Sequence, residues 1–431
     1  MKLRAVKGMN DILPEESRRW QRLESCFRRT VELYGYEELR TPIVEQLELF
    51  HKSTGETSEV VQKQMFTLER SREALALRPE GTPSAARVYI GESMQAREPV
   101  TRWYYIGPMF RAEQPQRGRY RQFHQAGCEL YGDAGPVVDA EMIDMLYGML
   151  VSLGLRGVSV SVNSLGGPEA RATYREQLRA FFEPKKASLS AHAVERLADN
   201  PLRILDSKDP RDQEASQGAP TLLDALSGED REHWNGLRAA LDALGTPYTV
   251  DPRLVRGLDY YTRTCFELSA TTGEIGSQNA LLGGGRYDGM VGSLGGPDVP
   301  AIGFAMGLER ILLALGDTPI DRTPLCFIAP LGPKAALEGL RLARTLRQRG
   351  VRVELDGRGN SLKSMLRRAN TMGARHCLVF GDAELDRGVV QLKDLAGHAQ
   401  SELTSADAVE RVVAECASAS APLPISSGSG A

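Results

Sequence analysis

No CxxC pair, no P-loop and no long apolar run occur in these 431 residues, and each absence removes a class of function. Six cysteines lie scattered at 26, 128, 265, 326, 377 and 416, none beside a histidine pair at zinc spacing. They read as buried free thiols in a reducing compartment, not as a disulfide framework or a zinc site. The glycine run 283–285 leads into Arg286 and Tyr287. It lacks both the Gly-Lys-Ser/Thr ending of a P-loop and the GxGxxG spacing of a dinucleotide fold. Glycines that let two backbones approach explain it better. No stretch nears the roughly 18 apolar residues of a membrane span. The first eight residues carry no apolar h-region, so the expectation is a cytoplasmic protein with no membrane partner. A net charge of −3 excludes a global positive field, so any nucleic-acid contact must come from local patches.

What is present fits two or three domains: 42% apolar and 25% charged residues are ordinary for a globular chain. A helix is expected over 14–34, with Leu23, Phe27, Val31 and Tyr34 at helical spacing. Residues 38–45 read as a strand bent at Pro42, hence an edge or a kink. Residues 65–131 are β-rich. A hairpin is expected from 65–68 and 75–78, a helix from 83 to about 94, then antiparallel strands at 103–111 and 121–130. A polar, basic loop joins these last two. A helix over 139–154 and a strand over 158–163 follow. From 166 to about 247 the pattern turns helical and charged, which marks an inserted module. The β signal returns at 248–250, 256–269 and 279–289, and 301–315 is expected to form one helix. After 324, strands at 325–331, 351–355, 376–380 and 389–393 alternate with helices, so 324–417 reads as a small α/β domain. Residues 418–431, rich in Ser, Gly, Pro and Ala, read as a disordered tail.

The run Arg256-Gly257-Leu258-Asp259-Tyr260-Tyr261 is unlike a plain core strand. Neighbours on a strand face opposite ways, so the two tyrosines should serve different surfaces. Arg256 upstream could bind a small anion. Arg111 ends a strand, and Arg310 projects from an apolar segment. Each alone suits a surface salt bridge. Together with Arg256 they could hold a triphosphate, because guanidinium binds phosphate oxygens in a fork. Gln125, Gly127 and Glu129 alternate on one strand face, with Glu80-Gly81-Thr82 on the same expected sheet. A ligand with an ammonium and a carboxylate would match Glu80 at one end and Gln125 or Arg256 at the other. Between 334 and 375 about eleven Lys and Arg face three acids. That is either a solvated helix face or an RNA-binding face.

Taken in order, these segments resemble the class II aminoacyl-tRNA synthetases, and among them the histidyl-tRNA synthetase family. Residues 38–45 look like motif 1, 110–123 like motif 2, and Gly303-Phe304-Ala305-Met306-Gly307-Leu308-Glu309-Arg310 like motif 3. The runs 256–261 and 282–289 look like two histidine-specific signatures. The resemblance implies an α+β catalytic domain over 1–320, built on an antiparallel sheet of six to seven strands with the helical insertion at 166–247. It implies an α/β anticodon-binding domain at 324–417 and a homodimer. The implied reaction attaches L-histidine to tRNA(His) through a histidyl-adenylate, with ATP as co-substrate and Mg2+ travelling with its phosphates.

Site roles follow from the resemblance too. Arg111 would contact the α-phosphate and the histidine carboxylate. Arg310 would hold the β- and γ-phosphates and cover the adenine, with Phe123 on its other face and Arg119 at the phosphate tail. Glu80 and Thr82 would hold the α-amino group, with Gln125 on the amino acid. Glu129 and Tyr261 would bracket the imidazole, and Tyr260 and Tyr287 would shape that pocket. Arg256 would stand near the α-phosphate, where other class II enzymes place a carboxylate-held metal, so no metal is expected on a protein motif. Gln114, Gln116 and Arg117 would meet the tRNA acceptor end. The nearest rival is a catalytically dead relative, such as the synthetase-like regulatory subunit of ATP phosphoribosyltransferase. That class lacks the anticodon domain and alters the signature arginine. A pure RNA-binding module would not need Glu80, Gln125 and Glu129.

Overall fold

Proline in the first turn, Glu15 and Glu16 beside it, and apolar residues every three to four positions build the first helix, Pro14–Leu33. Trp20, Leu23, Phe27 and Val31 form its buried stripe. The computed structural model describes residues 3–54, 63–70, 73–205, 207–226, 228–254, 260–271, 280–316 and 325–418. Its contacts divide the chain into two compact units, Met1–Thr318 and Pro319–Ala431. The segment that would join them and the expected tail from 419 onward lie outside the described residues.

The first unit's strands, in chain order, are β1 (Glu37–Glu38), β2 (Val44–Gln46), β3 (Thr67–Arg70), β4 (Glu73–Leu77), β5 (Thr101–Phe110), β6 (Gln122–Tyr131), β7 (Val158–Ser164), β8 (Thr249–Val250), β9 (Thr262–Ala270), β10 (Ala280–Arg286) and β11 (Ala301–Gly307). Among the described residues, eight of them form one sheet in the order β1-β5-β6-β11-β10-β9-β7-β8. The six central strands pair antiparallel, while β1 and β8 add parallel edges. The sheet is thus wider than expected. β2, β4 and β3 make a second, small sheet.

Two expectations are corrected. Residues 38–45 do not form one bent strand: β1 joins the large sheet and β2 the small one, with Pro42 between them. Arg78 bridges that break, donating to the carbonyl oxygen of Thr41 (3.0 Å), to its hydroxyl (2.8 Å) and to the Pro108 carbonyl (3.0 Å). Residues 301–315 are not one helix. Ala301–Gly307 is strand β11, and only Leu308–Leu315 is helical. Small residues at 303, 305 and 307 alternate with Ile302, Phe304 and Met306, which is a period of two rather than 3.6.

The helix Pro136–Ser152 packs behind the sheet and carries a fully buried acid, Asp139. Its partner is the equally buried Arg286 at the end of β10, which donates through Nε (2.9 Å) and approaches through Nη2 (2.7 Å). Arg286 also donates to the carbonyls of Asp133 (2.9 Å) and Gly135 (2.7 Å). Burial pushes the Asp139 carboxyl up, to about 6, against the pull of Arg286. The helical insertion shares this core: Tyr174, Leu178, Phe182, Trp234 and Leu237 belong to the same apolar cluster as Phe266 and Ile302.

The second unit contains β12 (Leu325–Leu331), β13 (Arg352–Leu355), β14 (Ala374–Gly381), β15 (Val389–Asp394) and β16 (Ala399–Thr404), in the order β13-β12-β14-β15-β16. β13 and β14 flank β12 in parallel, and β15 and β16 continue antiparallel. The edge strand β16 is half exposed, and Leu403 is its single large apolar residue, so it left no periodic signal. Many cations of the 334–375 stretch are in ion pairs: Arg341 with Glu338, Arg349 with Glu410, Arg358 with Asp356 and Arg368 with Glu354.

Breaking a buried ion pair by removing one partner costs about 3–5 kcal/mol, because the other charge stays behind unpaired. Arg286→Met should therefore lower the stability of the first unit by about that much in urea unfolding. The double variant Arg286→Met/Asp139→Leu should recover part of the loss. Equal stability of Arg286→Met and the unmutated chain would contradict a structural role for the pair.

Candidate active site

Strand β6 sets the site. Period-two alternation puts Phe123, Gln125, Gly127 and Glu129 on one face, and Gln122, His124, Ala126 and Cys128 on the other. Glu129 is fully buried in mid-sheet. Its neighbour across the pairing is Gly303 on β11, where any Cβ would overlap Glu129 Oε2. On the other side, Tyr105 of β5 is paired with Gly127, and a Cβ at 127 would strike the Tyr105 ring. Two glycines thus open the space that a carboxyl and a phenol fill. Thr82 Oγ1 (2.7 Å) and the Tyr105 hydroxyl (3.2 Å) donate to Glu129 Oε1, and the Tyr287 hydroxyl donates to Oε2. Burial pushes the Glu129 carboxyl up to about 8, against those three hydrogen bonds.

Around this carboxyl stand the other residues singled out from the sequence. Thr82 opens the helix Thr82–Gly91, and Glu80 lies just before it, both buried. The Tyr260 hydroxyl donates to Glu80 Oε2 (3.3 Å), and the Tyr260 ring meets Tyr287 edge-on with centroids 5.7 Å apart. The two tyrosines were expected to serve opposite surfaces. Instead both precede β9, where strand alternation does not apply, and their rings lie 4.6 Å apart. Tyr261 is buried. Gln125 Oε1 is buried with no hydrogen-bond partner among the described residues. A buried acceptor without a partner, on the same strand face as Glu129, is a group that a ligand's donor could satisfy.

The cations collect where β5 ends and β6 begins. Arg111 follows β5, donates from Nε to the Pro79 carbonyl (3.1 Å), and sits 5.2 Å from the Phe123 ring centroid. Arg310 lies on the helix Leu308–Leu315. Burial and then the like charge of Arg119 push the Arg310 guanidinium down from its ordinary value. Two arginines close enough to oppose each other suit a polyanion. The loop between β5 and β6 folds back on itself, with Gln116 and Arg119 exchanging backbone hydrogen bonds of 3.0 and 2.9 Å. Gln114, Gln116 and Arg117 are exposed on it. Arg256 lies outside the described residues.

The sequence reading missed Tyr105. Its signal was the register: once 103–111 and 121–130 pair, Tyr105 must face Gly127, the gap between Gln125 and Glu129. It missed Arg286 too, since a fully buried arginine has no sequence signature apart from its partner Asp139.

The geometry can be set beside known proteins. The family model described as histidyl-tRNA synthetase matches residues 8–311, and the model for an anticodon binding domain matches 325–415. The histidine–tRNA ligase of Sorangium cellulosum is 58% identical over 403 residues, 94% of this chain and 94% of that protein. That of Geobacter metallireducens is 46% identical, covering 92% of this chain and 96% of its own length. The crystal structure of apo S. aureus histidyl-tRNA synthetase superposes with a TM-score of 0.81 at 34% identity, covering 96% of this chain and all of that one. A Bacillus halodurans protein described as an ATP phosphoribosyltransferase regulatory subunit/histidyl-tRNA synthetase shares the fold at a TM-score of 0.65 and 22% identity, over 88% of this chain and 99% of its own. Matched over nearly its whole length by such relatives, the chain belongs to the histidyl-tRNA synthetase family, ATP-using class II ligases.

Proposed function

We propose that this chain joins L-histidine to tRNA(His) in two steps and that Glu129 is the group that reads the imidazole. The observation that carries the reading is a fully buried carboxyl in mid-sheet, met by the hydroxyls of Thr82, Tyr105 and Tyr287. Neutral imidazole offers one donor and one acceptor. A carboxyl at 129 and a phenol at 261 can satisfy both. Amino acids without those groups leave buried polar atoms unpaired, which is discrimination of roughly 10⁴ or more. Glu80 and Thr82 would take the α-ammonium, with Gln125 beside it.

In the first step a histidine carboxylate oxygen bonds to the ATP α-phosphorus, and the bond to pyrophosphate breaks. Negative charge builds on the phosphoryl oxygens. Arg111 would meet that charge and the carboxylate, while Arg119 and Arg310 would hold the leaving phosphates. Fixed cations favour this transition state over the ground state, because they need no reorganisation as charge develops. Phe123 and Arg310 would enclose the adenine. Arg256 is assigned to the α-phosphate on the sequence resemblance. Mg2+ would enter with ATP, bound to phosphate oxygens, and would neutralise part of their charge. Among the described residues no cluster of three His, Cys, Asp or Glu side chains forms a metal site. In the second step the terminal hydroxyl of the tRNA attacks the histidyl carbonyl, and AMP leaves.

The exposed loop tip with Gln114, Gln116 and Arg117 would meet the acceptor end, and the second unit would read the anticodon, where exposed bases carry sequence information. Exposed Val44 and Leu68 on the small sheet, with Ile43 just before it, support a homodimer contact there. No described helix is long and apolar enough to cross a membrane, and six cysteines without a disulfide are consistent with a cytoplasmic protein.

Three outcomes are expected. In histidine-dependent exchange of labelled pyrophosphate into ATP, Glu129→Ala should raise the histidine KM by about a hundredfold, with the ATP KM little changed. An unchanged histidine KM would count against the assignment. The second concerns pH. The bound pair of Glu129 and imidazole holds one proton. Below about 6.5 free histidine carries an extra proton that has to leave. Above about 8 the empty site has lost its own. Exchange kcat/KM for histidine should therefore peak between those values, and Glu129→Gln should remove the alkaline fall near 8. A fall that survives in Glu129→Gln belongs to another group. Third, deleting 325–431 should weaken tRNA charging far more than adenylate formation. Equal loss of both in a chain that remains a dimer would contradict the division of labour.

A further inference from the structure

The strand that follows the tyrosine pair begins irregularly. Along β9 and β10, Cys265 faces Gly285, but the next pair joins Thr262 to Arg286, so Arg263 and Thr264 form a bulge. Arg263 adopts φ +41°, a backbone conformation that side-chain-bearing residues rarely take. Bulges next to sites commonly re-aim a neighbouring side chain, and here the neighbour is Tyr261. Such a conformation persists only where its surroundings hold it.

What holds it comes from the helical insertion and from Leu165, which leads into it. Arg263 N donates to the Gly166 carbonyl (2.9 Å), and Leu165 N donates to the Arg263 carbonyl (2.6 Å). The Arg263 guanidinium donates from Nε to Asp230 Oδ1 (2.9 Å) and from Nη2 to Glu229 Oε2 (3.3 Å). Asp230 accepts in addition from Gly167 N (2.7 Å), at the start of the helix Pro168–Phe182. That helix presents Arg171, which donates from Nη1 to the Tyr261 carbonyl (2.6 Å). One guanidinium from the insertion, Arg171, therefore holds the backbone carbonyl before Thr262, and one carboxylate, Asp230, holds the Arg263 side chain after it.

We propose that Arg171 and Asp230 are positioning residues: from outside the pocket they fix where Tyr261 stands, and so set the affinity for the imidazole ring of histidine. The proposal rests on the reading of Tyr261 as the imidazole's partner. The insertion thereby acts on amino-acid recognition. A contact that served only to dock the insertion would be felt by ATP and histidine alike, or by neither. A brace on Tyr261 is felt by histidine.

The test is pyrophosphate exchange by the full chain, with Arg171→Met, Asp230→Asn and Tyr261→Phe compared with the unmutated protein. Arg171→Met and Asp230→Asn should each raise the histidine KM about tenfold, the size of effect expected when a residue acts through another. The ATP KM should stay within about twofold. Arg171→Lys should restore most of the loss, since an ammonium can still donate to a carbonyl. Should Arg171→Met fail to fold, Asp230→Asn makes the same comparison from the other half of the brace. The proposal is overturned if the histidine KM does not move while Tyr261→Phe does raise it, or if the ATP KM rises in step with histidine's. If Tyr261→Phe itself leaves the histidine KM unchanged, the reading of Tyr261 fails and the proposal falls with it.

Discussion

A carboxyl buried in the middle of a β-sheet is an expensive thing to keep, and much of the first unit is arranged around the one at Glu129. Desolvation disfavours its charge, so three hydroxyls converge on it and its proton is held to about pH 8. Space for it comes from the strand pairing: a glycine opposite it on β11, and a glycine two positions back on its own strand that admits Tyr105. If either register slipped by one residue, the acid would point into the apolar layer behind the sheet. The fixed order β5-β6-β11-β10 is what makes the polar pocket possible.

The other end of the same face carries the positive charge. Arg111, Arg119 and Arg310 come from the end of a strand, the loop after it and a helix that follows β11, and they meet only because those strands are neighbours in the sheet. An amino acid bound with its side chain at Glu129 would extend its carboxylate toward these cations. On the proposed reading, recognition and phosphoryl chemistry would be laid out along one strand, β6, from Glu129 to Phe123. The insertion enters this layout by its grip on the chain just after Tyr261, and the second unit has its own apolar clusters on both faces of its sheet.

The site was legible where chemistry and period coincide. Gln125, Gly127 and Glu129 announce a functional face, because alternation sets two polar groups and a glycine where a core strand would have apolar ones. Arg310 stood out against its apolar neighbours. Less was legible where local pattern misleads. The small residues of 303–307 looked helical in a run that ends in a true helix, although their alternation with Ile302, Phe304 and Met306 belongs to a strand. The two tyrosines were read by strand alternation, but they sit before the strand starts. Arg286, Tyr105, Arg171 and Asp230 act through partners distant in sequence, and no window of the chain contains both halves of such a pair. The family resemblance supplied the residue roles that the pattern alone left open.

Glu129 matters only if the site around it admits histidine and the enzyme turns that histidine into an adenylate. The direct measurement is exchange of labelled pyrophosphate into ATP by the full chain, with each of the standard amino acids offered singly. The account predicts exchange with histidine at least about 10⁴ times more efficient than with any other. Exchange supported by another amino acid, or none with histidine, would contradict it.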